Sequence, residues 1–252
     1  MSFWGRLFGL KMPKKGSLNS VEVGSSSERA CKGIPEGHNG CLFAREVLQD
    51  PLDAIEFDPP SKWTYKGIID GHKVWHDPVG DGIGLFFFDL PPDLPRAPTY
   101  SGFISALTPE SDPRTLKYIE TGTICVAGIN CVRRIVRVPQ KPSGMTYVGS
   151  WIIPFRDFSF VLKAQCQEYG VTGMREAILL DEKFATGEAR ITEDNTLDLS
   201  YDPDDVLFDS RFPGHPISRL RAILTMFEEA VSFRKDLYEY TAFPVLLAPS
   251  ET

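Results

Sequence analysis

The sequence predicts an α+β fold in which helices cover an antiparallel β-sheet. Residues 157–167 (DFSFVLKAQCQ) alternate between apolar and polar side chains, which is typical of a strand with one buried face. Short turns separate extended segments that are neighbours in the chain, and this favours antiparallel pairing. Residues 215–237 carry a helical stripe that can cover the sheet, formed by Leu220, Ile223, Leu224, Phe227 and Val231.

Composition and charge narrow the functional classes. The chain has 252 residues, of which 42% are hydrophobic and 24% are charged, as in ordinary globular proteins. It contains no run of about 18 apolar residues, so the sequence predicts no transmembrane helix. The net charge of -7 argues against general nucleic-acid binding, which requires a basic surface.

The domain organisation follows from a change in composition near residue 40. Residues 13–33 contain Ser and Gly without apolar periodicity, which is typical of a flexible linker. We therefore predict an amphipathic segment and linker over residues 1–40 and a single α+β domain over residues 41–252. Residues 42–51 (LFAREVLQDP) are predicted to form a short helix that ends at Pro51.

The first 15 residues combine large apolar and basic side chains. No acid occurs before Glu22, and Arg6, Lys11, Lys14 and Lys15 are basic. This pattern favours a surface helix that binds anionic lipid or the groove of a partner protein. The alternative is a frayed terminus without a binding role. The predicted partner-binding side chains in this segment are Phe3, Trp4, Leu7 and Phe8.

A hairpin is predicted after the first helix. Residues 66–70, 72–77 and 82–90 are extended candidates, and DPVGDG (77–82) has the composition of a tight turn. The G-x-G-x-G run at 80–84 precedes a Phe-rich strand rather than a helix, so we interpret it as a turn and not as a phosphate loop. Residues 91–111 are predicted to be a proline-rich loop that borders a groove.

The second half of the chain is predicted to begin with a helix over residues 113–120, started by Asp112-Pro113 and ended at Gly122. Long strands are then expected at 123–139, 144–155 and 157–167, with Phe158, Phe160 and Leu162 in the core. A helix capped by Thr172 is expected from about Gly173 to Ala185. One face of that helix is predicted to carry Met174, Ala177, Ile178 and Phe184.

Cysteines and acids suggest no cofactor site. The odd count of five cysteines does not fit a disulfide framework, and Cys125 and Cys166 are expected to pack as small hydrophobes. Cys31, His38 and Cys41 are spaced too widely for a typical zinc site. Residues 176–209 contain eleven acids and two bases, which predicts a solvated loop. The EF-hand pattern fails there, and whether the region binds a cation stays open.

The remaining polar candidates have structural and functional interpretations. His72 and His76 are predicted to be structural, and His215 is expected to support the turn before the last helix. Glu168, Arg175 and Glu176 can be read as acid, base and clamp, although a salt-bridge cluster at a helix start is favoured.

Two arginines are further candidates for partner binding. Arg133 and Arg137 share one face of their strand, so they are expected to meet the acidic region or an acidic partner.

The order of segments resembles a known family. The hairpin, the helix, the meander ending in DFSFVLKAQC and the closing helix resemble the PsbP-type α-β-α fold over residues 66–185. Photosystem PsbP proteins and Eag-type chaperones of type VI secretion effectors share that fold. Residues 142–177 and 209–221 (DSRFPGHPISRLR) also resemble an uncharacterised bacterial family. The resemblance implies a binding protein without catalysis.

The functional expectation is a non-catalytic, cytoplasmic, protein-binding module such as an adaptor, a chaperone or an immunity-like factor. No catalytic residue, cofactor, metal or nucleic-acid partner is predicted. Two alternatives remain at this point. One is an enzyme or small-ligand protein with a groove beside residues 91–111. The other is a peripheral membrane protein anchored by residues 1–15.

Overall fold

An antiparallel sheet of seven strands dominates the fold. The computed structural model describes residues 48, 50–59, 61–112 and 114–248. The strands of this sheet are β2 (Thr64–Ile69), β3 (His72–His76), β4 (Gly82–Phe88), β5 (Lys117–Val126), β6 (Ile129–Pro139), β7 (Met145–Pro154) and β8 (Ser159–Gln167). Across the sheet they lie in the order β2-β3-β4-β8-β7-β6-β5. The predicted α+β class with an antiparallel sheet is confirmed.

Helices and short strand pairs complete the described chain. The helices are α1 (Tyr100–Leu107), α2 (Met174–Thr186) and α3 (Pro216–Ala230). Two strand pairs lie outside the main sheet, β1 (Ile55–Phe57) with β11 (Val231–Phe233) and β9 (Ala189–Ile191) with β10 (Leu197–Leu199). Single 3-10 turns occur at Pro51–Ala54, Val206–Phe208 and Lys235–Glu239.

The predicted hairpin is present, and its turn has a clear physical cause. The Asp77 carboxylate accepts hydrogen bonds from the backbone N–H groups of Val79, Gly80 and Asp81 at 2.9–3.0 Å. Such an Asx turn satisfies the backbone donors between β3 and β4. The glycine run at 80–84 is therefore a turn that leads into a strand, as predicted.

Residues 123–139 were predicted to be one strand, and this is wrong. They contain a hairpin, because the chain reverses at Ala127 and Gly128 between β5 and β6. Both turn residues have positive φ, 46° and 82°, which matches the right-handed twist of paired strands. Alanine rarely adopts such a φ, so its side chain gave no sign of a turn.

The helix predicted over 113–120 is also wrong. Residues from Lys117 onward pair with β6 as an edge strand, and the Asp112 carboxylate accepts from Arg114 N at 3.0 Å within a turn. The helix lies earlier, as α1, inside the segment predicted to be a loop. Thr99 caps it by accepting from Gly102 N at 3.2 Å. Pairing with the adjacent strand β6 decided the outcome at 117–126.

Helix α3 covers one face of the sheet. Its Leu220 and Leu224 pack directly over Gly149 of β7, and Phe227 meets the Trp151 ring edge-on with a centroid distance of 5.8 Å. All five apolar positions predicted for its stripe are buried. The helix ends at Ala230, however, and Val231 belongs to β11. The predicted core residues Phe158, Phe160 and Leu162 are buried on the sheet.

The opposite face carries a smaller cluster at one end of the sheet. Phe103 and Leu107 of α1 pack with Val132, Phe243 and Val245. Leu94 and Ala97 of the proline-rich segment pack against this cluster. The segment 91–111 therefore contains a helix and part of the core, rather than only a loop.

Helix α2 differs from its prediction in cap and orientation. Gly173, with φ 74°, occupies the N-cap position in place of Thr172. The positions predicted for one apolar face are exposed, while Arg175 and Leu179 are the buried residues of the helix. The acidic region 176–209 is not a simple solvated loop, because it contains most of α2, the β9–β10 hairpin and a 3-10 turn.

Several smaller predictions can now be compared with the structure. Pro51 starts a 3-10 turn, while residues 42–47 and 49 of the predicted first helix lie outside the described residues. Cys166 is buried as predicted, whereas Cys125 is exposed because β5 is an edge strand. The segment 1–15, the linker and the predicted boundary near residue 40 also lie outside the described residues. In the described part of the chain, no helix is both long and apolar enough to cross a membrane.

Candidate functional site

Three titratable side chains converge where β8, α2 and α3 meet. Glu168 directly follows β8, Glu176 lies in the first turn of α2, and His215 is the N-cap residue of α3. The Nε2 atom of His215 lies 3.8 Å from Oε1 of Glu168 and 3.9 Å from Oε1 of Glu176. One ligand atom from each residue falls within 4.8 Å of the others. We call these residues the Glu–Glu–His cluster.

The Glu168 carboxylate is held rigidly by the backbone. Its Oε2 accepts a hydrogen bond from Met145 N at 2.7 Å, and its Oε1 accepts from Gly173 N at 2.9 Å. The second bond satisfies a donor at the N-terminus of α2, where negative charge is favourable. Glu168 thus supports the start of a helix, as expected, but through backbone hydrogen bonds and not through the predicted salt bridge with Arg175, which pairs with Asp209.

His215 is buried and neutral. Its Nδ1 accepts from Ile217 N at 3.4 Å and so caps α3, which fits its predicted role before the last helix. Burial, together with the positive charge of Arg175, lowers the pKa of His215 to about 4. The Nε2 atom is buried and has no hydrogen-bond partner within the described chain.

Glu176 has fewer hydrogen-bond partners on its carboxylate than Glu168 has. Burial raises the pKa of its carboxyl group, and the nearby carboxylates of Glu168 and Asp204 raise it further. Its Oε2 is buried without a hydrogen-bond partner among the described residues. Glu176 therefore presents a carboxylate whose charge is only partly compensated.

A cleft of about 700 Å³ adjoins the cluster and has Glu176 in its wall. Helix α2 and the β9–β10 hairpin form its apolar side through Leu180, Leu197 and Leu199. Its polar side includes Lys117 and Arg137 from the main sheet. The cleft therefore combines aliphatic surface with charges of both signs, as binding sites commonly do.

A buried carboxylate organises the polar side of this cleft. The side chain of Asp204 accepts from Lys117 Nζ and Arg137 Nη1, both at 2.9 Å, and from the Tyr147 hydroxyl at 3.1 Å. Burial raises the pKa of Tyr147, and the negative charge of Asp204 adds to this effect. The prediction that Arg137 meets the acidic region is confirmed.

The predicted grouping of Glu168, Arg175 and Glu176 is only partly formed. The Arg175 guanidinium is buried and donates instead to the Pro203 and Asp205 carbonyls, each at 2.7 Å. It belongs to a separate network that holds the acidic segment. The sequence predicted a role for His215 only in the turn before the last helix. It did not indicate that His215 approaches the two glutamates, because His215 lies 39 positions after Glu176 in the chain.

The surface around the cleft keeps large apolar side chains in contact with solvent. They lie on α2, on the β9–β10 hairpin and on the following 3-10 turn, and they are between 38% and 76% exposed. We call this surface the α2–hairpin face. Its apolar members are Met174, Ile178, Phe184, Ile191, Leu197, Val206 and Leu207.

The other predicted site residues lie elsewhere. Arg133 forms an ion pair with Glu120, which also receives a bond from Arg221 at 2.6 Å. His72 is buried on β3, stacks on Phe86 at 4.3 Å and has its pKa lowered by burial. A role of Arg133 and Arg137 toward an acidic partner stays a prediction. The predicted partner-binding residues Phe3, Trp4, Leu7 and Phe8, and the cysteines near His38, lie outside the described residues.

Comparison with known proteins adds little to this description. No protein-family model and no curated protein matches the chain. A crystal structure from Bacteroides thetaiotaomicron is 12% identical, with a TM-score of 0.31, over 47% of this chain. The match spans 40% of that chain's length. LpqN of Mycobacterium tuberculosis, described as involved in cell envelope biogenesis, is 15% identical over 52% of this chain and 78% of its own, also with a TM-score of 0.31.

Scores of this size support no inference about function. Neither structure is described as a PsbP-type or Eag-type protein, so the resemblance over residues 66–185 stays an expectation.

Proposed function

We propose that this protein is a protein-binding module and that its partner docks on the α2–hairpin face. The partner segment is basic and apolar, such as an amphipathic helix. The single observation that carries this proposal is the row of large apolar side chains that remain exposed on α2, the β9–β10 hairpin and residues 206–207. Large apolar side chains that stay exposed on neighbouring segments of the chain commonly mark an interaction site.

The arrangement of the apolar side chains supports docking rather than chance exposure. Ile191 and Leu197 are directly opposite each other in the β9–β10 ladder, and both point away from the core. Helix α2 turns Arg175 and Leu179 inward and leaves Met174 and Ile178, one helical turn apart, on its outer side. Burying each such side chain against a partner would contribute roughly 1.5–3 kcal/mol.

The charge of the face supports a basic partner. Several of its acids are neutralised within the chain, as in the pairs of Glu182 with Arg211 and Asp198 with Arg190. Three other acids make no ion pair within the described residues. They are Asp181, Glu193 and Asp205. Because these carboxylates surround the apolar side chains, a segment carrying Lys or Arg next to Leu or Phe is complementary to the face.

The cleft supplies a place for a long cationic side chain. Its aliphatic wall of Leu180 and Leu197 can pack against the methylene groups of a partner Lys or Arg. The Glu176 carboxylate, whose Oε2 has no partner in the described chain, lines the same cleft and can receive the charged group. The Asp202 carboxylate nearby is already paired with Lys117. This combination would give both affinity and orientation to the bound segment.

Calorimetry with a synthetic peptide tests the proposal. The probe is an amphipathic helical peptide of Leu and Lys, compared with the same peptide in which every Lys is replaced by Glu. We expect the full-length protein to bind the basic peptide and not the acidic one. The double variant Ile191→Ser and Leu207→Ser should weaken binding by about tenfold or more, since each removes a central apolar contact.

A matched control distinguishes binding at the α2–hairpin face from nonspecific binding to exposed apolar side chains. Ile68 on the edge strand β2 is as exposed as Ile191, so Ile68→Ser changes the same chemistry at another place. It should leave the affinity unchanged. Equal binding of both peptides, or equal loss of affinity in Ile68→Ser and in the double variant, would reject the proposal.

A further inference from the structure

The Glu–Glu–His cluster contains an unusual buried nitrogen. The His215 side chain is only 7% exposed, and its Nε2 has no hydrogen-bond partner in the described part of the chain. This atom faces the carboxylates of Glu168 and Glu176 at 3.8 and 3.9 Å, beyond hydrogen-bonding distance. A buried polar atom without a partner costs free energy, so the arrangement calls for a ligand between these groups.

We propose that Glu168, Glu176 and His215 form a binding site for a divalent cation of the first transition series. One imidazole nitrogen and two carboxylate oxygens form a donor set that suits ions such as Zn²⁺ and Mn²⁺. The inference does not depend on the proposed partner-binding function.

The distances suit such an ion after a small contraction. Zn²⁺ binds nitrogen and oxygen ligands at about 2.0–2.2 Å, which places neighbouring ligand atoms about 3.4 Å apart in a tetrahedral site. The separations of the two glutamate oxygens from Nε2 of His215 exceed this value by a few tenths of an ångström, and the ligand atoms of all three residues lie within 4.8 Å of one another. Rotation of the Glu176 side chain can bring its carboxylate closer to the other two groups, because its Oε2 has no hydrogen-bond partner within the described chain. A small movement of the His215 ring toward the fixed Glu168 carboxylate completes the contraction.

The surroundings of the cluster also suit a cation. Two carboxylates face a neutral imidazole, so an ion would compensate negative charge that the described side chains compensate only in part. The backbone bonds from Met145 N and Gly173 N orient the Glu168 carboxylate. Such outer contacts are typical of metal sites, where they fix the first ligands in place.

Binding requires a proton to move on the imidazole. Nδ1 now accepts from Ile217 N, so the neutral ring carries its proton on Nε2. A metal at Nε2 requires the other tautomer, with the proton on Nδ1, and no net proton is released. The cost is one helix-cap hydrogen bond of 3.4 Å, which is long and therefore weak.

Equilibrium dialysis of the full-length protein against Zn²⁺ and Mn²⁺, each alone, tests the site. We expect one equivalent of at least one of these ions to be retained. Glu176→Gln and His215→Asn should each weaken retention by about tenfold or more. Asparagine is a good N-cap residue, so His215→Asn keeps the helix start while removing Nε2. Asp181→Asn, an exposed change on the same helix, is the control and should have no effect.

Nitrogen NMR of the imidazole provides a second measurement. Titration with Zn²⁺ should move the His215 proton from Nε2 to Nδ1, a change that an adventitious surface ion would not cause. The proposal is overturned if neither ion is retained, if Asp181→Asn weakens retention as much as Glu176→Gln, or if the tautomer of His215 does not change on saturation.

Discussion

Arg175 of α2 and Asp209 form a buried ion pair, with Nη1 of the arginine 3.0 Å from Oδ1 of the aspartate and only 1% of the arginine side chain exposed. Ser218 of α3 joins them, since its hydroxyl donates to Asp209 at 2.9 Å and accepts from Arg175 at 3.1 Å. Arg221 binds the same carboxylate through two bonds of 2.8 and 2.9 Å. This network ties α2, the acidic segment and α3 together.

Arg175→Met should destabilise the protein by about 3–5 kcal/mol, because it breaks a buried ion pair with Asp209 and removes the guanidinium donor from the Pro203 and Asp205 carbonyls. Urea unfolding followed by circular dichroism measures the change. Arg190→Met removes a pair with Asp198 that is largely exposed, and it should cost less than about 1 kcal/mol. Similar unfolding midpoints for the two variants would show that the Arg175 network contributes little to stability.

Phe160→Ala should cost about 3–5 kcal/mol of unfolding free energy. The Phe160 ring is fully buried and packs against Phe87 with a centroid distance of 5.1 Å, so truncation leaves a cavity beside β4. Urea denaturation gives the value. The exposed Ile68→Ala on β2 is the control and should change stability by less than about 0.5 kcal/mol. An unchanged midpoint for Phe160→Ala would mean that the ring is not part of the core.

Gly149→Ala should destabilise the contact between α3 and the sheet by about 1–3 kcal/mol. A Cβ atom at this position would lie 2.9 Å from Cδ1 of Leu224 and 3.1 Å from Cδ1 of Leu220. Gly214→Ala is the matched control, since a Cβ there meets no atom within 4 Å. Thermal unfolding should show a lower Tm for Gly149→Ala alone. If both variants have the same Tm, α3 has room to move away from β7.

Lys163 should make stability depend on pH. It is 6% exposed on β8, its ammonium lies 5.8 Å above the Phe86 ring, and its charge acts on the nearby His72 of β3. Burial lowers the pKa of Lys163 from 10.5 to about 7. Between these values the unfolded chain binds more protons than the folded one, so stability rises with pH across this window. Below about pH 7 both states are protonated and the full penalty remains.

Comparing the wild type with Lys163→Met isolates this effect from other titrating groups. Urea unfolding of both proteins at about pH 6 and about pH 9 gives four midpoints. The variant should be the more stable protein at the lower pH, and its advantage should shrink at the higher pH. An advantage that is the same at both values would show that Lys163 does not titrate in this range.

Part of the candidate site could be predicted from the sequence. Glu168 and Glu176 flank a turn that leads into a helix, and His215 precedes Pro216 at another helix start, so each was identified individually. Their approach to one another was not predictable, because it depends on where α3 packs on the sheet. The role of Asp204 could not be predicted from the sequence either. Its partners Lys117 and Arg137 lie on β5 and β6, far from Asp204 in the chain.

Local chemistry determined the fold class and the main strands of this protein. Alternation in 159–167, the Asp77 turn and the apolar stripe of α3 all act over a few residues, so their signal is present in the sequence itself. Tertiary structure decided the rest. It brought Lys117 and Arg137 to Asp204, turned Arg175 inward and left Met174 and Ile178 exposed. The physical reason is that pairing and burial depend on neighbours distant in the chain, and these contacts outweigh local preferences wherever the two disagree.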